Sequence, residues 1–214
     1  MKPFIQKFGI TIYLLILMLH LFAQLLGYTS IQYGSKLVLL PLLMLFFYVQ
    51  PFFASAANSK YLILVGLFGS FLGDAFLLSD ALFIPGMIAF MTTHIFNIIF
   101  FSKIYSLKQP KSTAFKVSSS LLLFFCWFIY FQLKTAIGPL IYPILVYMAL
   151  ICLAALMAIH VSNNKPTKMI ANLFWIPGML FFIASDTVLA FNKFSWSTQS
   201  PIENIGLVTM ATYG

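Results

Sequence analysis

Long apolar runs with few charges constrain the fold of this chain more than any other feature. Seven such runs of about 20 residues lie at roughly 8–27, 34–53, 61–79, 82–102, 115–133, 137–161 and 169–191. A helix of this length, at a rise of about 1.5 Å per residue, crosses about 30 Å of hydrocarbon. Backbone groups in lipid must be satisfied within the protein, which favours helices. The runs therefore predict an all-α, polytopic integral membrane protein.

An eighth candidate run begins near Pro201, and with it we predict a bundle of about eight transmembrane helices in one domain over residues 1–214. Only about 14 residues follow Pro201, roughly 21 Å of helix, which is too short to span. We therefore expect a re-entrant segment or a longer native chain. Composition agrees with the membrane class, because 62% hydrophobic and 7% charged residues lie outside the range of soluble domains.

The lysines predict the topology. All twelve basic residues are lysines, and alternating the spans between two sides puts nine of them on the side of the N-terminus. Only Lys36, Lys134 and Lys193 fall on the opposite side. By the positive-inside rule the N-terminus is expected to be cytoplasmic. The net charge of +8 thus indicates topology and lipid headgroup contact instead of nucleic-acid binding, and we expect a multi-pass protein of a bacterial cell membrane.

Two of the four acidic residues, Asp74 and Asp186, fall inside predicted spans. Each is expected about five residues before the outer end of its helix, and so at the same depth. An ionised carboxylate there costs about 2.5–3.5 kcal/mol on insertion scales, and small residues before each one would let helices approach closely. An acid-base pair with one protonated and one ionised member would explain that cost. The alternative is that each aspartate only caps a helix end or stabilises helix contacts.

The other two acids have simpler interpretations. Asp80 follows the third span and directly precedes an apolar run, so we predict that it is the N-cap of the fourth helix. Glu203 follows Pro201 and is either a first-turn acid of a helix or a residue within reach of the same cavity.

Several other polar residues are candidates beside the two aspartates. His94, near the middle of the fourth span, either orients a substrate or is a structural histidine, and Asn97 shares its face one turn later. Lys36 opens the second span and either snorkels to the surface or, as a cation beside acids, holds a phosphate. His20 is a weaker candidate in the first span, and His160 is expected to be solvated at a cytoplasmic helix end.

Other reactive groups do not form a recognisable site in the sequence. Cys126 and Cys152 both lie in apolar runs and are expected to pack there, without a disulfide. The sequence contains no zinc-ligand cluster, no glycine-rich phosphate loop and no G-x-S-x-G motif. We therefore expect neither a metal nor a cofactor.

Three stretches of the sequence carry a family resemblance. "GDAFLL" at 73–78, "GMLFFIASDTVLAFNKF" at 178–194 and "MATY" at 210–213 resemble the YhhN-type membrane family, which includes the lysoplasmalogenases. Lys36, Phe90 with His94, and Tyr147 with Met157 agree with the same pattern. The chain departs from it at Asn97, where the family commonly has a tyrosine, so no hydroxyl is available there.

The resemblance implies hydrolysis of the vinyl ether bond of a lysoplasmalogen, giving a fatty aldehyde and glycerophosphoethanolamine or glycerophosphocholine. It places the catalytic aspartates at Asp74 and Asp186. Such a cleavage passes through an oxocarbenium ion, which glycosidases handle with two carboxylates. The partners expected are a lysophospholipid substrate and the lipid bilayer, with the oligomeric state open. The residues expected to bind substrate are Lys36, His94, Asn97, Tyr147, Ser185, Glu203 and Tyr213.

Two other functions are compatible with intramembrane aspartates. An intramembrane aspartyl protease has one aspartate within G-x-G-D, but here Phe71 stands where the first glycine should be. A small proton-coupled transporter or a lysolipid-binding membrane protein would use the acids to relay protons or bind an amine headgroup. Transport leaves its substrate intact and depends on a gradient, whereas hydrolysis releases aldehyde without one.

Overall fold

The computed structural model describes residues 2–50 and 57–195, and this part of the chain contains helices and no β-strand. The all-α class predicted from the sequence is therefore confirmed. The predicted span that begins near Pro201 lies outside the described residues. The long helices are α1 (Lys2–Leu25), α2 (Thr29–Val49), α3 (Ala57–Phe76), α4 (Phe83–Ile104), α5 (Thr113–Ile137), α6 (Ile141–Val161) and α7 (Ile176–Phe194).

Six helical stretches in the described part of the chain are long and apolar enough to cross a membrane. One of them, Thr113–Val161, has 49 residues, which as one straight helix would measure roughly 74 Å, more than twice the hydrocarbon thickness. A 3₁₀ turn at Gly138–Leu140 divides it into α5 and α6. Gly138 has a φ of 59°, which glycine adopts without steric cost. The count of eight spans stays a prediction.

Large apolar side chains cover the outside of these helices. Leu123 is 72% exposed, Phe124 64% and Met169 70%. In water such a surface would be a large apolar patch of the kind that marks an interaction site or aggregates. In a bilayer it contacts lipid, so the exposure supports the membrane class.

The chain divides into two compact units, Met1–Phe100 and Phe101–Gly214. In the first unit, α1 packs on α2 and α2 packs on α3. The α1–α2 connection turns at Gly27, with a φ of 73°. Lys60, near the start of α3, donates to the carbonyl of Tyr48, near the end of α2. These contacts make successive helices antiparallel, so the C-terminal ends of α1 and α3 lie beside the N-terminal half of α2.

Small residues let α3 approach α4 closely within the first unit. A Cβ added to Gly69 would lie 2.8 Å from Thr93 Oγ1, and one added to Gly73 would lie 2.6 Å from the Phe90 ring. Thr93 Oγ1 donates a hydrogen bond of 2.9 Å to the carbonyl of Gly66. Gly73, the small residue that precedes Asp74, thus packs against the Phe90 ring of α4.

The second unit contains α5, α6 and α7, which all contact one another. A turn of helix at Lys168–Ile170 and a π-helical segment at Ala171–Trp175 lead directly into α7. Pro177 has no N–H to bond the carbonyl four residues earlier, at Leu173 within the π-helical segment. The wider turn accommodates that missing hydrogen bond.

The helix ends correct the predicted depths of the aspartates. α3 ends at Phe76, two residues after Asp74, and α7 ends at Phe194, eight residues after Asp186. The expectation that each lies about five residues before its helix end was wrong. The apolar run that contains Asp74 continues beyond the last helical residue of α3, Phe76. In α7, by contrast, the helix continues beyond the apolar run, through polar residues to Phe194.

Asp80 is not the N-cap that the sequence suggested. Ser79 occupies the N-cap position of a 3₁₀ turn at Asp80–Leu82, and α4 begins only after that turn. Asp80 is instead the first residue of the turn, where its charge complements the helix dipole.

His160 is fully buried, so the prediction that it is solvated was wrong. Its Nε2 lies 3.1 Å from the carbonyl oxygen of Ser106. Its ring contacts Tyr105 and Phe115, with centroids at 4.7 and 5.5 Å. The segment that follows α4 therefore folds over the end of α6 and excludes solvent from the histidine.

Candidate functional site

Asp74 is buried in the last turn of α3, with 7% of its surface exposed. Its Oδ1 lies 3.4 Å from the Nζ of Lys36 on α2. The antiparallel packing of α2 and α3 brings these two residues together. Lys36 therefore lies beside an acid, and the role predicted for it in holding a phosphate stays a prediction. The ammonium compensates a carboxylate charge that would otherwise be costly among apolar helices.

Helix α1 adds two polar side chains near this ion pair. Tyr13 and His20 are seven residues apart and so lie on one face of the helix. The Tyr13 hydroxyl is within electrostatic range of Asp74, and the His20 ring is within electrostatic range of Lys36. With Ser35, these residues form what we call the lysine–aspartate cluster: Tyr13, His20, Ser35, Lys36 and Asp74.

His20 and Ser35 are joined by a buried hydrogen bond of 2.8 Å between Nδ1 and Oγ. Sequence reasoning gave His20 little weight and did not single out Tyr13 or Ser35. Hydroxyl groups on apolar helices are common and carry little signal by themselves. The spacing of seven residues between Tyr13 and His20 is a signal that could have identified Tyr13, and the sequence carries none for Ser35.

In the second unit, Asp186 lies within α7 and is half-buried. Its Oδ2 accepts a hydrogen bond from the hydroxyl of Tyr147 on α6. We call these two residues the tyrosine–aspartate pair. Tyr147 was expected to bind substrate, which stays a prediction, and in the structure its hydroxyl contacts an aspartate. Ser185, the preceding residue on α7, is 2% exposed and lies in the interior.

The remaining predicted residues lie elsewhere. His94 is fully buried on α4. Asn97, one turn later, faces α3, because its Oδ1 lies 3.7 Å from the position of a Cβ added to Gly66. Glu203 and Tyr213 lie outside the described residues.

The lysine–aspartate cluster and the tyrosine–aspartate pair differ in what they offer a reaction. Asp74 faces a cation, which compensates the charge of the carboxylate. Asp186 faces a neutral hydroxyl, which can hydrogen-bond the carboxyl group in either protonation state. Within residues 2–50 and 57–195, no three His, Cys, Asp or Glu side chains converge to hold a metal ion.

Comparison with curated proteins found no match, and comparison with solved structures found none either. A family model does match, over residues 31–214. The matched region includes Lys36, Asp74, Tyr147 and Asp186, whereas α1 precedes it. Because the match covers most of the sequence, this chain belongs to the YhhN family.

Proposed function

We propose that this protein is a membrane hydrolase that cleaves the vinyl ether bond of a lysoplasmalogen by acid-base catalysis. The products are a fatty aldehyde and glycerophosphoethanolamine or glycerophosphocholine. Membership of the YhhN family and the membrane-spanning helices support this assignment. The observation that carries most weight is the ion pair of Lys36 and Asp74, since ionisable groups held among transmembrane helices usually serve a function.

The reaction adds one water across the vinyl ether. A carboxylic acid gives its proton to the outer alkene carbon, and the electrons of the double bond form the new C–H bond. The adjacent carbon becomes an oxocarbenium ion, which water attacks while a base takes the water's proton. The hydroxyl of the resulting hemiacetal gives its proton to the carboxylate that first acted as the acid, and the aldehyde forms. The bond to the glycerol oxygen breaks as that oxygen takes the proton held by the base, so the glycerol product leaves as a hydroxyl. The proton balance is zero over the cycle.

We assign the acid role to Asp186 and the carboxylate role to Asp74. A carboxylate can take a proton from water, and the ammonium beside it compensates the charge of the carboxylate before the reaction. A carboxyl group beside a tyrosine hydroxyl can hold the proton to be delivered, and Tyr147 then donates a hydrogen bond to the anion left behind.

In this assignment Lys36 has two roles, since it pairs with Asp74 and binds the substrate. An ammonium carries three donors, so Lys36 can stay beside Asp74 and also bind a phosphate oxygen of the lysolipid. The apolar surfaces of the helices are compatible with a single hydrocarbon chain.

The direct test uses protein purified in detergent, where no gradient can exist. Lysoplasmalogen is added and the released aldehyde is measured. We expect aldehyde and free glycerophospho-headgroup in equal amounts. Intact substrate after long incubation with folded protein would contradict hydrolysis. Uptake by proteoliposomes that depends on a proton gradient would then favour the transporter, and cleavage of a different lysolipid would move the proposal to that substrate.

A further inference from the structure

His20 carries a buried nitrogen that has no hydrogen-bond partner in the described part of the chain. Its ring is 3% exposed, and Nε2 makes no hydrogen bond there. His160 has a similar nitrogen, Nδ1, but that ring lies among aromatic side chains in the second unit. His20, in contrast, belongs to the lysine–aspartate cluster. Buried polar atoms in native proteins almost always have a hydrogen-bond partner, so Nε2 is available to bond a group that reaches it.

The contacts of Ser35 determine what kind of group Nε2 can bind. Ser35 has one hydroxyl proton, and its Oγ lies 2.5 Å from the carbonyl oxygen of Ile31 and 3.1 Å from that of Gln32. Two oxygens at 2.5 Å need a proton between them, and a carbonyl oxygen only accepts, so the hydroxyl donates to Ile31. His20 Nδ1 must then donate to Ser35 Oγ, at 2.8 Å. In the neutral ring Nε2 is therefore an acceptor, and its partner must be an O–H or N–H donor.

The cluster lies near one end of the helices of the first unit, where a bilayer that they span would place its glycerol. His20 is five residues before the end of α1, Lys36 seven after the start of α2, and Asp74 two before the end of α3. At about 1.5 Å per residue, all three lie within about 10 Å of the same end of the first unit. The hydrocarbon of a bilayer gives way to glycerol and headgroups over a comparable distance.

We propose that His20 Nε2 accepts a hydrogen bond from the free glycerol hydroxyl of a lysophospholipid and so selects lysolipids over diacyl lipids. This inference rests on the proposed function, which makes a lysophospholipid the substrate. A diacyl lipid carries an ester oxygen at that position and has no proton to donate. A site built to bond a hydroxyl discriminates strongly against ligands that lack one, because its own polar atom is left unpaired.

The residue that makes this contact lies on α1, and the family match begins at residue 31, after α1 has ended. The Lys36–Asp74 ion pair lies within the matched region. The first unit thus combines a reactive pair from the matched region with a specificity residue from a helix that precedes it.

A pair of ligands that differ in one hydroxyl tests the inference. Protein in detergent micelles is titrated with a 1-acyl lysophospholipid, and separately with its 2-deoxy analogue, and the two Kd values are compared by calorimetry. Neither ligand has a vinyl ether, so neither can release aldehyde. We expect the wild-type protein to bind the deoxy ligand about tenfold more weakly, the loss expected for one buried hydrogen bond. Equal Kd values for the two ligands would overturn the inference.

Two variants locate the effect at His20. In His20→Asn the side-chain amide can still donate to Ser35, but no acceptor remains at the position of Nε2, so the tenfold preference should vanish. His160→Asn removes the other buried histidine and should leave the preference intact. A preference that survives in His20→Asn would overturn the inference. If His20→Asn does not fold, His20→Gln and the wild-type ligand comparison provide the test, because the glutamine oxygen reaches the position of Nε2 and should retain part of the preference.

The binding experiment separates this inference from the proposed function. If the wild-type protein prefers the hydroxyl ligand but releases no aldehyde from lysoplasmalogen, the hydroxyl site stands and the hydrolase proposal fails. If aldehyde is released but the preference is absent, the hydrolase proposal stands and the role of His20 fails.

Discussion

The Nζ of Lys36 lies 3.4 Å from the Oδ1 of Asp74, and the two side chains are only 21% and 10% exposed. Two charges held this far from water are stable together and costly apart, because removing one leaves the other uncompensated. The pair therefore behaves as a unit in both stability and reactivity.

Replacing Lys36 by methionine should destabilise the protein. Methionine keeps most of the side-chain volume but leaves the Asp74 carboxylate without its cation. We expect the free energy of unfolding to fall by about 3 kcal/mol. This is near the lower end for buried pairs, because Lys36 is partly exposed. Thermal unfolding in detergent measures the change. The double variant Lys36→Met with Asp74→Asn removes both charges and should regain most of the lost stability. A double variant as unstable as the single one would show that the ion pair is not the cause.

Removing the hydroxyl of Tyr147 should reduce activity while the fold is kept. In Tyr147→Phe the ring still packs on α6, but Asp186 loses its donor, and we expect aldehyde release to fall by roughly ten- to a hundredfold. Tyr142→Phe is the matched control, because Tyr142 is on the same helix and 77% exposed. Normal activity in Tyr147→Phe would remove the tyrosine from the proposed mechanism.

The close contact of α3 with α4 predicts that Gly69 tolerates no side chain. A Cβ there would lie 2.8 Å from Thr93 Oγ1, so Gly69→Ala should cost about 1–3 kcal/mol. Gly34→Ala on α2 is the control, since a Cβ at Gly34 meets nothing within 4 Å and alanine favours the helix by about 0.5–1 kcal/mol. Melting temperatures in the same detergent should therefore move in opposite directions. A Gly69→Ala protein as stable as the wild type would contradict the described packing.

The packing of α5 on α6 can be checked through the two cysteines. Their Sγ atoms lie 3.3 Å apart, and both thiols are free. Copper–phenanthroline, a thiol oxidant, should remove two electrons and two protons from the pair and form a disulfide within the chain. Mass spectrometry should find the linked peptides containing Cys126 and Cys152. Cys126→Ser should give none, and failure of the wild-type protein to cross-link would contradict the contact of these helices.

The sequence predicted the parts of the fold that follow from hydrophobicity. A bilayer imposes one length on every span, so the apolar runs located the helices well. Helix ends were less predictable, because hydropathy does not report where backbone hydrogen bonding stops, as the end of α3 at Phe76 shows. His160 was misjudged for a related reason: its burial depends on the segment at Tyr105 and Ser106 folding back over α6.

The candidate residues were predictable to different degrees. Asp74 and Asp186 stood out because an ionised carboxylate within a membrane span costs free energy, and this holds however the helices are arranged. Lys36 was ambiguous, since a lysine near a helix end can snorkel or hold a phosphate beside acids, and its contact with Asp74 depends on the packing of α2 on α3. Ser35 was overlooked because its role depends on an imidazole from another helix, and no local pattern reports such a contact.

The central claim is that Asp74 and Asp186 carry out the hydrolysis of a lysoplasmalogen. The most direct measurement is aldehyde release by detergent-purified wild-type protein beside Asp74→Asn, Asp186→Asn and the double variant, with Asp80→Asn, on an exposed turn, as the control. We expect Asp74→Asn and Asp186→Asn each to lose at least about a hundredfold. The double variant should release aldehyde at nearly the same rate as the less active single variant, because residues that act in one reaction do not contribute additively.

Asp80→Asn should release aldehyde at the wild-type rate. Full activity in either Asp74→Asn or Asp186→Asn, or no aldehyde from folded wild-type protein, would contradict the claim.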